Sequence, residues 1–288
     1  MVDVVTLRNG TLGAAVSARG AELQRLHTAA GEELLWDGNP EIWAGRAPLL
    51  FPVVGNVKDD HITVHGQRYP LLRHGFARTS IFELVESADA RCLWRLRAND
   101  ESRLRYPFAF RLDVAYALEG RRLAMRATVV NEGAEPMPAS FGFHPAFRWP
   151  LVPGIAREAH DVRFEKAEPE PIHRLAAGLL AGPEPTPVVG ERLPLADALF
   201  ERDALIFKRL RSRRLTYGPA GGRRLQLDFP AMPHLGIWSK PGAGFVCLEP
   251  WQGFADPSDF DGELAKKPGT VAIPPKSDRV FELSVTIL

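Results

Sequence analysis

The stretch RLDVAYALEGRRLAMRATVVNEG, residues 111–133, alternates apolar and polar residues on both sides of Gly120. A period of two places successive side chains on opposite faces, so the stretch predicts two half-buried β-strands separated by a turn. RCLWRLRA (91–98) has the same alternation. Later segments extend it to the C-terminus: RRLQLDFP (223–230), LGIWSKP (235–241), FVCLEPW (245–251) and RVFELSVTIL (279–288).

The N-terminal segment adds a predicted hairpin, in which VVTLRNG (4–10) enters an Asn-Gly turn and TLGAAVSA (11–18) follows as its partner strand. Helical periodicity is confined to LADALFERDALIF (195–207) and SDFDGELAKK (258–267). The 25 prolines and 25 glycines suit a protein with many turns. We therefore expect an all-β fold, one large antiparallel β-sandwich with few short helices.

The chain shows one boundary candidate, the proline-rich AGPEPTPVVGERLP (181–194). Strand patterning resumes on both sides of it, so this segment is interpreted as a long loop. The prediction is a single domain over residues 1–288.

Composition excludes several classes of partner. Lys plus Arg number 36 and Asp plus Glu number 35, so the charge balance favours neither nucleic acid nor an anionic membrane surface. No uninterrupted apolar run is as long as the stretch of about 18 residues that suggests a membrane span. The N-terminal MVDVVTLRNG lacks the pattern of a signal peptide. The two cysteines, Cys92 and Cys247, are far apart in the sequence and suggest no disulfide framework. We expect both to be buried free thiols in a reducing compartment. A cytoplasmic protein is expected.

Three stretches place a titratable side chain among aromatic residues, glycine and proline. They are LLRHGFAR (71–78) with His74, FGFHPAF (141–147) with His144, and VCLEPWQG (246–253) with Glu249. Each histidine can equally be a core or turn residue with a satisfied ring nitrogen. Glu249 is harder to explain structurally, because a glutamate in an apolar strand requires a partner.

Other candidates are weaker on sequence alone. Asp203, in ERDALIF, is consistent with a helix-face or capping residue, and Asp228 and His234 with strand and turn positions. There is no Walker loop, GxGxxG fingerprint, H-E-x-x-H helix or G-x-S-x-G elbow. The spacing of His, Asp and Glu offers no local metal cluster, so no metal or cofactor is predicted, although ligands from distant loops remain possible.

A carboxylate and an imidazole on opposite sides of a small polar substrate can act as general base and general acid. Aromatic rings supply an apolar platform for the C–H face of a pyranose, and arginine and histidine donors bind its hydroxyls. This combination favours a sugar as the substrate.

Taken together and in order, three motifs resemble the aldose 1-epimerase (galactose mutarotase) family. They are LLFPVVGNVKDDHITVHGQRYPLLRHGFAR (49–78), FGFHPAFRWPL (141–151) and CLEPWQG (247–253). The sequence looks most like the LacX-like branch, near the hexose-6-phosphate mutarotases. The resemblance runs through nearly the whole chain, including DALIF (203–207) and KKPGTVAIPP (266–275).

The resemblance implies a galactose mutarotase-like sandwich with its site in a concave cleft on one sheet. It implies that Glu249 is the base that takes the proton from the anomeric O1 hydroxyl, and that His144 is the acid that protonates the ring oxygen O5. His74 matches a histidine that binds the sugar near O5, and Asp203 matches a substrate-binding aspartate. A neighbouring carboxylate is expected to raise the pKa of His144 into the useful range.

One position departs from the family pattern, because Asn56 stands where the family usually has a sugar-contacting arginine. An amide cannot replace a planar guanidinium. Arg78 and Arg46 are the candidate substitutes, and the resemblance associates the arginine of HGFAR with phosphate in the sugar-phosphate branch.

The expected function is therefore interconversion of the α and β anomers of an aldose, with a sugar or sugar phosphate as the partner and the protein acting as a monomer or homodimer. The alternatives are a hexose-6-phosphate 1-epimerase, a non-catalytic sugar-binding protein, and a structural β-domain that docks a partner protein. The last leaves Glu249 unexplained.

Overall fold

The computed structural model describes residues 3–288, which form 24 short strands and one α-helical turn, α1 (Asp100–Arg103). The strands are β1 (Val4–Arg8), β2 (Leu12–Ser17), β3 (Leu23–Thr28), β4 (Leu49–Leu50), β5 (His61–Val64), β6 (Gln67–Pro70), β7 (Glu83–Ala88), β8 (Arg91–Arg97), β9 (Phe110–Glu119), β10 (Arg122–Asn131), β11 (Met137–Ala139), β12 (Phe141–Phe143), β13 (Ala146–Arg148), β14 (His160–Phe164), β15 (Ile172–Ala176), β16 (Leu179–Glu184), β17 (Arg192–Pro194), β18 (Leu205–Phe207), β19 (Arg214–Pro219), β20 (Leu225–Asp228), β21 (His234–Trp238), β22 (Phe245–Gln252), β23 (Val271–Ile273) and β24 (Asp278–Ile287).

Two large sheets dominate the fold. One has nine strands in the order β17-β14-β19-β20-β24-β10-β9-β8-β7. The other has eight, in the order β16-β15-β18-β21-β22-β12-β4, with β13 also paired to β22. The strands of both sheets pair antiparallel, which confirms the predicted all-β sandwich. The small sheets are β1-β2-β3, β5-β6 and β11-β23.

The alternating stretch that opened the sequence analysis forms the long hairpin β9–β10 in the nine-stranded sheet. Along β9, every second residue from Phe110 to Leu118 is buried, while the residues between them are partly exposed. The inward residues pack in the main apolar core, which also holds Val246 and Leu248 of the opposite sheet. The alternation of apolar and polar residues therefore corresponds to a sheet that packs one face against the core and turns the other toward solvent. The predicted hairpin β1–β2 is confirmed as well.

Strand β22 differs because both of its faces are buried. Its even-numbered residues Val246 and Leu248 face the core between the sheets. Phe245, Cys247, Glu249 and Trp251 therefore project from the opposite face of the eight-stranded sheet. That face carries the candidate site.

The helix predicted over residues 195–207 is wrong. A single 3₁₀ turn covers Asp197–Phe200, and the chain then takes a positive φ of 66° at Asp203. Leu205–Phe207 forms β18 and pairs with β21. All three of its residues are buried in the sheet, so tertiary pairing outweighs the local helical periodicity.

The helix predicted over residues 258–267 is also reduced to a 3₁₀ turn, Leu264–Lys266. The side chain of Glu263 instead accepts hydrogen bonds from the backbone amides of His65 and Gly66, where it closes the β5–β6 turn. The proline-rich segment 181–194 is a loop only in its middle, because its two ends belong to β16 and β17.

No helix in the described part of the chain has the length and apolar character needed to cross a membrane.

Candidate active site

Strand register places His144 directly across from Glu249. β12 pairs with β22 through Gly142 and Trp251, and β13 pairs with it through Ala146 and Cys247. Both pairings follow the same antiparallel register, which brings residue 144 opposite residue 249 in the gap between β12 and β13. Pro145 interrupts the strand there, since it has no amide hydrogen to donate to a ladder.

The two side chains meet on the cleft side of the sheet. His144 Nε2 lies 3.1 Å from Glu249 Oε2, and the residues are only 7% and 1% exposed. The contact is short, but it is not aligned as a hydrogen bond. Among residues 3–288, His144 Nδ1 and Glu249 Oε2 have no hydrogen-bond partner. We call His144 and Glu249 the acid–base pair.

Burial controls the protonation of the acid–base pair. It raises the pKa of Glu249 well above its usual range and lowers the pKa of His144 to about 3. The positive charges of Arg73 and Arg78 lower the pKa of His144 further. The net shift is therefore opposite to the expectation that a neighbouring carboxylate raises the pKa of His144, because loss of water disfavours the imidazolium. The two shifts favour a carboxyl group and a neutral imidazole.

Three tryptophans surround the acid–base pair. The ring of Trp43 stacks on His144 with centroids 5.2 Å apart, and Trp238 meets His144 edge-on at 6.1 Å. Trp251 lies against Gly142 and Gly236, where an added Cβ would come within 2.6 and 2.3 Å of the indole. The two glycines thus leave room for a flat ring against the sheet. Such rings suit the C–H face of a sugar.

His74 lies in the loop after β6, with a positive φ of 66°. The backbone amide of Gly55 donates to His74 Nδ1 at 3.0 Å, and Arg73 Nε lies 3.0 Å from Nε2. Burial, aided by the charge of Arg73, lowers the pKa of His74 well below its usual range, so the ring is neutral. A neutral imidazole has one acceptor nitrogen. The neutral ring can therefore accept only one of these two hydrogen bonds at a time, and its tautomer decides whether Gly55 or Arg73 is the donor.

Arg78 approaches the cleft from the turn Ala77–Thr79. It donates from Nη2 to the carbonyl oxygen of Arg73 at 3.1 Å, while its buried Nε has no hydrogen-bond partner within residues 3–288. Burial and the charge of Arg73 lower its pKa. Within residues 3–288, neither Arg73 nor Arg78 forms a salt bridge. The cleft therefore has two adjacent guanidinium groups free to bind oxygen atoms of a ligand.

Asp203 lies at the same cleft through its strained loop position before β18. Its Oδ1 accepts from the amide of Ala204 at 2.7 Å, and its charge adds to the elevation of the pKa of Glu249. Asp203 thus has a second carboxylate oxygen available for a sugar hydroxyl.

Two sequence candidates lie apart from the cleft. Asn56 is absent from its lining, packs beside Gly178, and has a buried Oδ1 without a hydrogen-bond partner. Arg46 donates to the carbonyl oxygen of Gln24 and lies against Gly38, so it does not replace the family arginine in the cleft. The structure therefore brings Glu249, His144, His74, Arg78 and Asp203 together and leaves Asn56 outside.

Sequence reasoning assigned no role to Trp43, Trp238 or Arg73. Trp238 ends β21, and Gly236 of the same strand pairs with Glu249. The strand pattern of this segment could therefore have indicated that Trp238 lies near Glu249. Arg73 precedes His74, but nothing in the sequence showed that its side chain reaches the cleft. Trp43 comes from an irregular segment, and no local pattern marks it.

The cleft has a volume of about 290 Å³, near the lower end for small-molecule sites. A larger open groove of about 520 Å³ crosses the outer face of the nine-stranded sheet. Its charged side chains already pair with one another, as Arg214 does with Asp228 and Arg122 with Glu119. The smaller cleft is the better site because its polar groups are unsatisfied and face aromatic rings.

The buried His144–Glu249 contact lies in a cleft walled by aromatic rings on one sheet of a large antiparallel sandwich. The profile of the family described as "Aldose 1-epimerase" matches residues 3–187. "Protein LacX, plasmid" of Lactococcus lactis subsp. lactis is 32% identical over 296 residues, covering 99% of each chain. The chain belongs to the aldose 1-epimerase family.

Solved structures agree with this assignment. A galactose mutarotase related enzyme from Lactobacillus acidophilus has a TM-score of 0.91 and 32% identity, over 99% of this chain and 97% of that one. A galactose mutarotase-like protein from Lactobacillus casei has a TM-score of 0.91 and 29% identity, over 99% and 100%. The predicted galactose mutarotase-like sandwich is thereby confirmed.

Proposed function

We propose that this protein is an aldose 1-epimerase that interconverts the α and β anomers of an aldose through acid–base ring opening. The observation that carries the proposal is the 3.1 Å approach of His144 Nε2 to Glu249 Oε2, with unpartnered atoms on both residues, in a cleft walled by tryptophans. Family membership supports an isomerase of this type.

The reaction removes one proton from O1 and adds one to O5 as the C1–O5 bond breaks. Glu249 takes the O1 proton, C1 and O1 become a carbonyl, the C1–O5 bond breaks, and O5 takes a proton from His144. Rotation about C1–C2 presents the other face of the aldehyde, and the reverse transfers close the ring. The protein exchanges only protons with the sugar, so the reaction needs no organic cofactor. Each positioned group contributes roughly 10²–10⁴-fold.

Burial favours the protonation states that the acid–base pair has after ring opening. The ring-opening step begins with an ionised acid–base pair and ends with a carboxyl group and a neutral imidazole. The low pKa of His144 and the raised pKa of Glu249, both caused mainly by burial, favour this second, uncharged state. The hydroxyls of a bound sugar must therefore stabilise the ionised form of the acid–base pair. Ring opening then returns the pair to its uncharged form. His74 and Asp203 line the same cleft, which supports assigning them to the ring-oxygen side and to a hydroxyl of the sugar.

The test is anomer exchange by NMR with glucose, galactose and glucose 6-phosphate in turn. Faster exchange that is lost in His144→Gln, with the sugar still bound, supports the proposal. Sugar binding without faster exchange in the wild-type protein would identify a non-catalytic sugar-binding protein instead.

A second candidate, a hexose-6-phosphate 1-epimerase, is favoured by one observation: Arg73 and Arg78 face the cleft without carboxylate partners. Guanidinium groups bind phosphate oxygens well. In this case Arg78→Ala raises KM for glucose 6-phosphate about tenfold or more and leaves KM for glucose nearly unchanged. Arg148→Ala is the matched control, because Arg148 is exposed and lies outside the cleft lining. Equal effects on both sugars would contradict the phosphate assignment.

We also propose a cytoplasmic protein acting as a monomer or homodimer. Cys92 and Cys247 are buried free thiols, as is common where thiols stay reduced.

A further inference from the structure

Cys247 lies next to the acid–base pair without a role in the proposed chemistry. It precedes Glu249 by two residues on β22, so both side chains project from the same face of the strand. Its thiol is fully buried among Trp36, Ala146 and Phe245. Packing alone would accept any small apolar residue here, yet the thiol stands beside two further groups with metal-binding atoms.

The three side chains form a compact set of donors. One ligand atom each from His144, Cys247 and Glu249 lies within 4.8 Å of the others. In a tetrahedral zinc site with bonds of about 2.0–2.3 Å, ligand atoms are separated by about 3–4 Å. Small side-chain rotations therefore suffice to bring the three atoms around one ion. A fourth position would face the cleft.

The charges of the set also suit a buried divalent cation. An imidazole binds a metal through a neutral ring nitrogen, and His144 offers one within reach of the other two donors. A thiolate from Cys247 and a carboxylate from Glu249 together offset a charge of +2, so the occupied site carries no net charge. Two protons leave to solvent as the ion binds. Glu249 Oε2, which has no hydrogen-bond partner among residues 3–288, would coordinate the ion.

We propose that His144, Cys247 and Glu249 form an inhibitory site for a borderline-soft divalent cation such as Zn²⁺. Sulfur, nitrogen and oxygen donors together select Zn²⁺ over Mg²⁺ or Ca²⁺. The ion and the sugar compete for the same His144 and Glu249 atoms, so metal binding stops epimerisation. The inhibition rests on the proposed function, whereas the binding does not.

The surroundings oppose permanent occupation. Arg73 and Arg78 place positive charge at the cleft, and this charge repels a cation. The ion must also reach a thiol that is fully enclosed. The site therefore suits reversible inhibition, in contrast to a structural zinc centre that is needed for folding.

The binding test uses Cd²⁺ alone, because a cadmium–thiolate bond produces a ligand-to-metal charge-transfer band in the ultraviolet. The two cysteines of the chain supply a matched pair of variants. We expect the band at one equivalent of Cd²⁺ in the wild-type protein and in Cys92→Ala, and its loss in Cys247→Ala. Cys247→Ser provides a second variant if the alanine form is unstable. A band that survives in a folded Cys247 variant, or that disappears in Cys92→Ala, would overturn the site.

The inhibition test titrates Zn²⁺ against anomer exchange, with each protein compared with its own metal-free rate. Half-inhibition should require at least about tenfold more Zn²⁺ in Cys247→Ala than in wild type, and a chelator should restore activity. Equal sensitivity of the two proteins would reject the cysteine as a ligand. If the protein epimerises none of the sugars, the Cd²⁺ band still decides the metal site independently of the proposed function.

Discussion

Asp161 and Glu249 are buried to almost the same degree, at 0% and 1% exposure, but their surroundings are opposite. Arg192 donates to Asp161 Oδ2 at 2.6 Å, and Arg224 donates to Oδ1 at 2.7 Å. Burial alone would raise the pKa of Asp161, but the arginines outweigh it and leave the pKa lowered. Glu249 has a neutral imidazole as its neighbour, and its pKa is raised.

The difference separates a structural carboxylate from the one that we propose to react. Asp161 stays ionised because its oxygens are saturated by cationic donors on the nine-stranded sheet and its connections. Glu249 lines a cleft and keeps one oxygen without a hydrogen-bond partner in the described part of the chain. A buried carboxylate held in an unfavourable state costs stability, which is common at sites that bind or transfer protons. The next predictions test this contrast.

The largest effect is expected for Glu249→Gln, which should slow anomer exchange by roughly 10²–10⁴-fold, since the amide cannot take the O1 proton. Asp161→Asn is the matched control and should keep its activity per folded molecule. NMR exchange rates at saturating sugar measure both. A full rate in folded Glu249→Gln, or an equal loss in both variants, would remove the distinction between the two carboxylates.

The second effect concerns stability, for which Asp161→Asn and not Glu249→Gln should be the damaging substitution. Asp161→Asn leaves Arg192 and Arg224 without their carboxylate, and we expect a loss of about 2 kcal/mol in the free energy of unfolding. Glu249→Gln should instead hold or increase stability by about 1 kcal/mol at neutral pH. Urea unfolding of both variants and wild type provides the comparison. A larger loss from Glu249→Gln than from Asp161→Asn would contradict it.

The third effect is the pH dependence of these two differences. Asp161 has a lowered pKa, so its contribution is present above its unfolded pKa and is lost as the pH falls below about 4. Glu249 has a raised pKa, so its contribution is present below its unfolded pKa and is lost as the pH rises through its folded pKa. The Asp161→Asn difference should shrink in acid, and the Glu249→Gln gain should grow toward alkaline pH. Unfolding curves from pH 3 to 8 measure both, and parallel trends would contradict the assignment of opposite shifts.

The smallest effect is expected for Asn56→Ala. Asn56 lies outside the cleft lining, so kcat/KM should change less than about threefold, a change below about 0.7 kcal/mol. Asp203→Asn, a substitution within the cleft, is the comparison and should have the larger effect. A strong defect in Asn56→Ala would show that the amide reaches the bound sugar.

The sequence predicted strands β8, β9 and β10, in which one face of the sheet meets the core. The positions of His144 and Glu249 in their motifs also place the two residues opposite each other, once the motifs pair as antiparallel strands in this register. The sequence prediction failed at residues 195–207, where a helical pattern is overruled by pairing of β18 within the sheet.

Burial is the property that the sequence could not supply. Two adjacent charges suggest mutual stabilisation, but the direction of the His144 pKa depends on how much water reaches the ring, and only the packed cleft determines that. Trp43 likewise has no local signal, because an irregular segment carries it across to His144.

The stack of Trp43 on His144 gives the protein an optical property. An indole emits strongly beside a neutral imidazole and is quenched by an imidazolium, and the two rings lie 5.2 Å apart. Burial lowers the pKa of His144, so we expect Trp43 to emit beside a neutral ring and to dim if a bound sugar brings a proton onto His144, as the proposed function requires. Stopped-flow emission would then time the arrival of that proton without any added label.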